Sequence, residues 1–245
     1  MLEAFDLRKS FGAMVAVDGL TVSLRQGEIR ALIGPNGAGK TTFFNLLTGH
    51  LKADAGSVRL HGEVITSMPP YRIWRKGMSR TFQIPAFFPS MTVFENVQVA
   101  VISHLRLTKR FYVPQGTEGR ERVMEILERV GLRGTVGEVS GHLSYGDLKK
   151  LELATALAND PQVLLLDEPA AGMAPPERNA LMALVQTIAK EKNLTIMFTE
   201  HDMDVVFSVA ERVSVMHQGR LVADGSPEEV RSDLTVRSVY LGEEG

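Results

Sequence analysis

Eight residues, Gly34-Pro35-Asn36-Gly37-Ala38-Gly39-Lys40-Thr41, follow the apolar run Ala31-Leu32-Ile33 and fill every position of the pattern G-x-x-x-x-G-K-[ST]. A strand, a glycine-rich loop and a helix in that order commit the chain to an α/β fold with its site at the carboxyl edge of a largely parallel sheet. The glycines let backbone N–H groups turn inward around phosphates, and the helix opening at Lys40 aims the positive end of its dipole at the same charge. The pattern predicts a bound nucleoside triphosphate. Lys40 is placed to reach the β- and γ-phosphates, Thr41 to offer its hydroxyl to Mg²⁺, and Thr42 to contact the α-phosphate.

The chain of 245 residues, 44% hydrophobic, is long enough for one large domain carrying a subdomain. A net charge of −2, with Lys and Arg scattered, offers no basic stripe for nucleic acid. The absence of cysteine excludes disulfides and thiolate chemistry and is compatible with a reducing cytosol. No signal peptide is expected at Met1–Lys9, which contains Glu3 and Asp6. No apolar run approaches the roughly 20 residues needed to span a bilayer.

From Leu2 to Leu60 the sequence reads as short strands around turns, with the phosphate loop and a helix Thr41–Thr48 embedded. Helical periodicity over Arg120–Val130, and a second helix over Thr92–Leu107, suggest a helical insert at 84–160 within one domain, 1–245. Val163–Asp167 and Thr195–Thr199 are apolar runs ending in polar residues, the pattern of buried parallel strands. A hairpin is expected at Gln218-Gly219 and a capped helix from Ser226-Pro227.

Asp167 and Glu168 would emerge together from a buried strand beside the phosphates, Asp167 to hold Mg²⁺ and Glu168 to activate water as general base. The bland alternative is a pair that caps a helix. His201, after the next strand, can hydrogen-bond a γ-phosphate. Ser144 and Gly146 open a helical run and offer a second anion site at its N-terminus, although Ser144 can also cap that helix. One nucleotide rarely needs both anion sites from one subunit. The economical reading is therefore a head-to-tail dimer in which Ser144 of one protomer closes on ATP held by the other.

These motifs, in this order, resemble the ATP-binding subunits of ABC transporters over essentially the whole chain. The resemblance implies a P-loop ABC ATPase fold with an N-terminal antiparallel β subdomain and a helical signature subdomain. It implies an adenine platform at Phe11, which could otherwise be a core aromatic, and a γ-phosphate sensor and metal contact at Gln83. Arg80-Thr-Phe-Gln83, Leu143-Ser-Tyr-Gly-Asp147, Asp167-Glu-Pro-Ala-Ala-Gly172, Glu200-His-Asp-Met203 and Tyr240-Leu-Gly242 resemble the branched-chain amino acid importer group. The implied partners are integral membrane permease subunits, a second ATP-binding subunit, identical or different, and indirectly an external solute-binding protein. The implied location is the cytoplasmic face of the inner membrane. Urea, an aromatic acid, an exported lipid or a soluble role are the alternatives. Two positions depart from the wider pattern. Tyr145 and Asp147 stand where glycine and glutamine are common, and Ala174 stands where Asp or Asn usually links the two nucleotide sites. The aromatics Phe87 and Phe88, between two prolines, either anchor a coupling helix of the membrane subunit or pack inside the helical insert.

Overall fold

The computed structural model describes residues 1–83, 86–104 and 117–241. Among the described residues ten strands make two sheets: β1 (Leu2–Phe11), β2 (Met14–Leu24), β3 (Ile29–Ile33), β4 (Ala55–Leu60), β5 (Glu63–Val64), β6 (Met78–Arg80), β7 (Val163–Asp167), β8 (Thr195–Thr199), β9 (Arg212–His217) and β10 (Arg220–Gly225). The larger sheet runs β10-β9-β3-β8-β7-β6, and all its pairs are parallel except the β9–β10 hairpin. Every residue of β3, β7 and β8 is buried, as expected of strands covered on both faces.

The strand period of two divides these side chains between two cores. Ala31, Ile33, Leu164, Leu166, Ile196 and Phe198 face one apolar cluster. Leu32, Val163, Leu165 and Met197 face the other. The first cluster is completed by helices α3 (Val93–His104), α4 (Thr117–Arg129), α5 (Tyr145–Leu157), α6 (Pro175–Lys192) and α7 (Met203–Val209). The second is completed by α1 (Lys40–Leu47), with Phe43 and Phe44 fully buried, and by the antiparallel sheet β2-β1-β4-β5.

That antiparallel sheet differs from the short strands expected. β1 and β2 are 10 and 11 residues long, paired through register shifts at Ala4/Leu7, Leu7/Arg8 and Lys9/Ser10. Such irregularities bend a long strand around a core and interrupt the alternation by which it would be recognised. The hairpin turns at Gln218-Gly219, and α8 (Pro227–Ser232) opens on a reciprocal cap between Ser226 and Glu229. It leads into α9 (Leu234–Leu241). The helix expected over Thr92–Leu107 is found as α3; residues 105–107, and Gly242 of the closing tripeptide, lie outside the described residues.

Asn96 of α3 pins the segment that carries Phe88. Its Oδ1 accepts the Phe88 N–H at 2.8 Å, and its Nδ2 donates to the carbonyls of Phe88 and Thr92 at 3.2 and 2.9 Å and to Ser140 Oγ at 2.8 Å. Replacing Asn96 by Ala leaves these partly buried groups and the buried Ser140 hydroxyl without it. We expect a loss of about 2–3 kcal/mol of stability, read as a lower urea midpoint at unchanged slope.

Candidate active site

The loop between β3 and α1 closes on its own lysine. Lys40 is buried, and its Nζ donates to the carbonyls of Gly34 at 2.5 Å and Pro35 at 3.1 Å. Burial pushes the Lys40 pKa down, while the nearby carboxylates of Glu168 and then Asp167 push it up. The loop can wrap this tightly because two positions tolerate no side chain. A Cβ on Gly34 would lie 2.2 Å from the Met216 carbonyl, and one on Gly39, at φ 104°, would lie 2.2 Å from that of Ala16. Gly39 also begins α1 with no side-chain cap and no acidic residue in the first turn, leaving that helix end open to an anion. Asn36, Gly37 and Thr41 are exposed, Ala38 is buried, and Thr42 is half-buried.

At the ends of β7 and β8 the structure brings three expected residues together. Glu168 Oε2 accepts from Gln83 Nε2 at 3.0 Å, and Glu168 Oε1 lies 2.8 Å from His201 Nε2. Glu168 has φ 49°, a left-handed conformation costly for a residue with a side chain. Its N–H is held at 3.0 Å by Thr199 Oγ1, whose hydroxyl donates to Asp167 Oδ1 at 3.0 Å. Asp167 does not cap a helix, contrary to the bland reading; Ala174 occupies the start of α6.

The sequence reading missed the residues that hold this group. Arg80 Nη2 donates to Asp167 Oδ2 at 2.7 Å and Nη1 to Asn45 Oδ1 at 2.6 Å, with the guanidinium over the rings of Phe44 and Phe82. A cation ending the short, buried Met78-Ser79 stretch of β6 was the available signal. Glu200 is buried, and its carboxylate accepts the N–H groups of Ala170 at 3.0 Å and His201 at 3.2 Å, tying the β7 and β8 loops together. Burial pushes the Glu200 pKa up, partly opposed by those two N–H groups. Arg178 of α6 hydrogen-bonds Asp202, whose other oxygen caps α7. That ion pair fastens the Ala174 end of α6 to the His201 loop although Ala174 itself offers no side-chain hydrogen bond.

Ser144 and Gly146 stand apart from this cluster at the start of α5. Ser144 accepts the Asp147 N–H at 3.2 Å and donates to Asp147 Oδ2 at 2.9 Å. Phe11, at the end of β1, is 44% exposed with the Lys9 ammonium 5.6 Å from its ring centre, so it is not a core residue.

Thr41, Gln83 and Asp167 together offer only oxygen donors suited to Mg²⁺: a hydroxyl, an amide carbonyl and a carboxylate. Among the described residues no three His, Cys, Asp or Glu side chains cluster as a metal cage.

Residues 17–171 match the ABC transporter family, and residues 220–245 match the branched-chain amino acid ATP-binding cassette transporter family. The chain is 40% identical to the high-affinity branched-chain amino acid transport ATP-binding protein BraF of Pseudomonas aeruginosa, covering 99% of this chain and 98% of that one. It is 39% identical, with the same coverage, to the corresponding protein LivG of Escherichia coli. Among solved structures, the ADP conformation of an ATP-binding cassette of an ABC transporter superposes with a TM-score of 0.89. It shares 33% identity over 99% of this chain and 98% of that one.

A methyl group at Gly39 must displace the Ala16 carbonyl and strain the loop backbone. Gly39→Ala is expected to weaken ATP binding by about 100-fold or more, measured by titration calorimetry, and the same strain should lower the melting temperature of the nucleotide-free chain.

Proposed function

The chain belongs to the ABC transporter ATP-binding family, and we propose that it is the ATP-hydrolysing subunit of an importer for branched-chain or related hydrophobic amino acids. The observation that carries the ATPase reading is the Glu168 carboxylate, strained at the end of a buried strand and held between Gln83 and His201. The cargo reading rests on the match of residues 220–245 and on near full-length likeness to branched-chain amino acid transport ATP-binding proteins.

Entry of the triphosphate gives the buried Lys40 ammonium an anionic partner beyond the loop carbonyls it holds here. Residues 34–42 cradle the phosphates through main-chain N–H groups and the Thr42 hydroxyl, and Phe11 supplies an exposed face for adenine. Thr41, Gln83 and Asp167 would hold Mg²⁺, which offsets phosphate charge when bound. Glu168 takes a proton from water as the water oxygen bonds to the γ-phosphorus and the bond from that phosphorus to the ADP oxygen breaks. His201 orients Glu168 and the departing phosphate. Ser144 and Gly146 of a partner protomer close the site, so hydrolysis and phosphate release remove the charge joining the two subunits.

Transmission to the membrane runs through an open groove of about 460 Å³, largely apolar, lined in part by Tyr71, Trp74, Phe82, Phe88, Val99 and Ala100. Phe88 is 52% exposed, whereas Phe87 is half-buried against the helical core, so the two aromatics have separate roles. The groove suits a short helix of a membrane permease subunit with Phe88 as an anchor. Among the described residues no helix is long and apolar enough to cross a membrane. As an importer subunit the chain would sit on the cytoplasmic face through its permease partners, which an external binding protein loads from the other side.

Glu168→Gln preserves shape and removes the base. Turnover should fall by about 100-fold or more, with ATP affinity within about threefold of wild type, and normal steady-state hydrolysis would assign the proton to another group. Phe88→Asp should abolish co-purification with polytopic membrane proteins while leaving ATP binding and melting unchanged. Retained assembly would remove Phe88 from the interface.

A further inference from the structure

Two buried charges on α5 have no part in the chemistry above. Lys149 is 3% exposed and Glu152 7% exposed, one helical turn apart on the same face. Charges so deeply buried persist only with partners, and here the partners are main chain. Lys149 Nζ donates to the Gln83 carbonyl at 3.1 Å, and Glu152 Oε1 accepts the Phe82 N–H at 2.6 Å. The two head groups face each other at 3.7 Å.

Phe82 and Gln83 lie beyond the end of β6, outside any strand, so no neighbouring strand satisfies these two groups. Side chains of one helix do so instead. That helix begins at Ser144, the residue offered to the partner's nucleotide, and the side chain of Gln83 reaches Glu168 at 3.0 Å. A single rigid element thus joins the trans-acting serine to the backbone that aims the cis-acting glutamine.

We infer that Lys149 and Glu152 are positioning residues that hold Gln83 against Glu168 and make its placement follow the position of α5. This rests on the reading of Glu168 and Gln83 given under the proposed function. Drawing the N-terminus of α5 toward a partner's nucleotide carries the Phe82–Gln83 backbone with it, so each site responds to occupancy of the other. The pair is poised for this because its links end on Phe82 and Gln83, and Phe82 itself lines the proposed coupling groove. A merely structural pair would affect stability and leave turnover of the folded protein alone.

The test uses the full-length chain with Lys149→Met and Glu152→Leu combined, which removes both charges and strands neither. Hydrogen exchange at the Phe82 amide should accelerate by about tenfold or more, with strand β7 unchanged. Turnover should fall by about tenfold at a KM for ATP within about twofold of wild type. Glu152→Gln alone keeps an acceptor for the Phe82 N–H and leaves Lys149 its bond to the Gln83 carbonyl, so both readouts should stay within about threefold of wild type. Wild-type exchange in the folded double variant, or faster exchange with wild-type turnover, overturns the inference. Should the double variant not fold, Lys149→Met alone decides. Burial pushes the Glu152 pKa up and the Lys149 ammonium opposes this, so loss of the cation moves it further up. A loss of turnover of about threefold or more at unchanged KM supports the inference, and wild-type turnover refutes it. A wild-type chain that binds ATP without hydrolysing it would instead overturn the ATPase reading and leave the exchange rates to judge the clamp.

Discussion

The architecture depends on a cation held below the protein surface. Lys40 could not remain buried without the carbonyls of Gly34 and Pro35, and those carbonyls are aimed at it only because the loop is too tight for a side chain at Gly34 or Gly39. The loop in turn needs β3 and α1 fixed on either side, and the two cores provide this by dividing alternate residues of the parallel sheet between them. A triphosphate is the natural counter-charge, since α1 presents an uncapped N-terminus at the same point.

The reacting groups are braced against one another rather than placed singly. Thr199 joins the ends of β7 and β8 by accepting from Glu168 and donating to Asp167, and Glu200 repeats the link one residue further on. This bracing supports the left-handed backbone of Glu168, which an isolated turn would not sustain. Arg80 balances Asp167 from the side of the groove, between two aromatic rings. Asp167 and the apolar groove therefore share one side chain.

The parts of the site formed by contiguous residues could be read in the sequence. The phosphate loop, the Asp167-Glu168 strand end and the Ser144 helix start each rest on local geometry: a turn, a strand terminus or a cap. What escaped was the long-range bracing. Arg80 lies 87 positions from Asp167, and Glu152 lies 70 from Phe82, and neither separation leaves a periodic trace. The long bulged strands β1 and β2 were read as shorter for a related reason, because each register shift breaks the period of two. Ala174 shows the opposite limit. Its lack of a polar side chain was plain, but the Arg178–Asp202 pair that ties the same helix to the His201 loop required the fold to see.

In the role proposed, closure on ATP would move a partner in the membrane, and that partner with an external loading protein would fix the cargo. The most direct test is uptake of radiolabelled leucine by cells in which the gene for this chain has been deleted and then restored as wild type or as Glu168→Gln. The account requires uptake to fall on deletion, to return with the wild-type chain and to stay low with the variant. Uptake unaffected by deletion, or fully restored by a chain that cannot hydrolyse ATP, would contradict it.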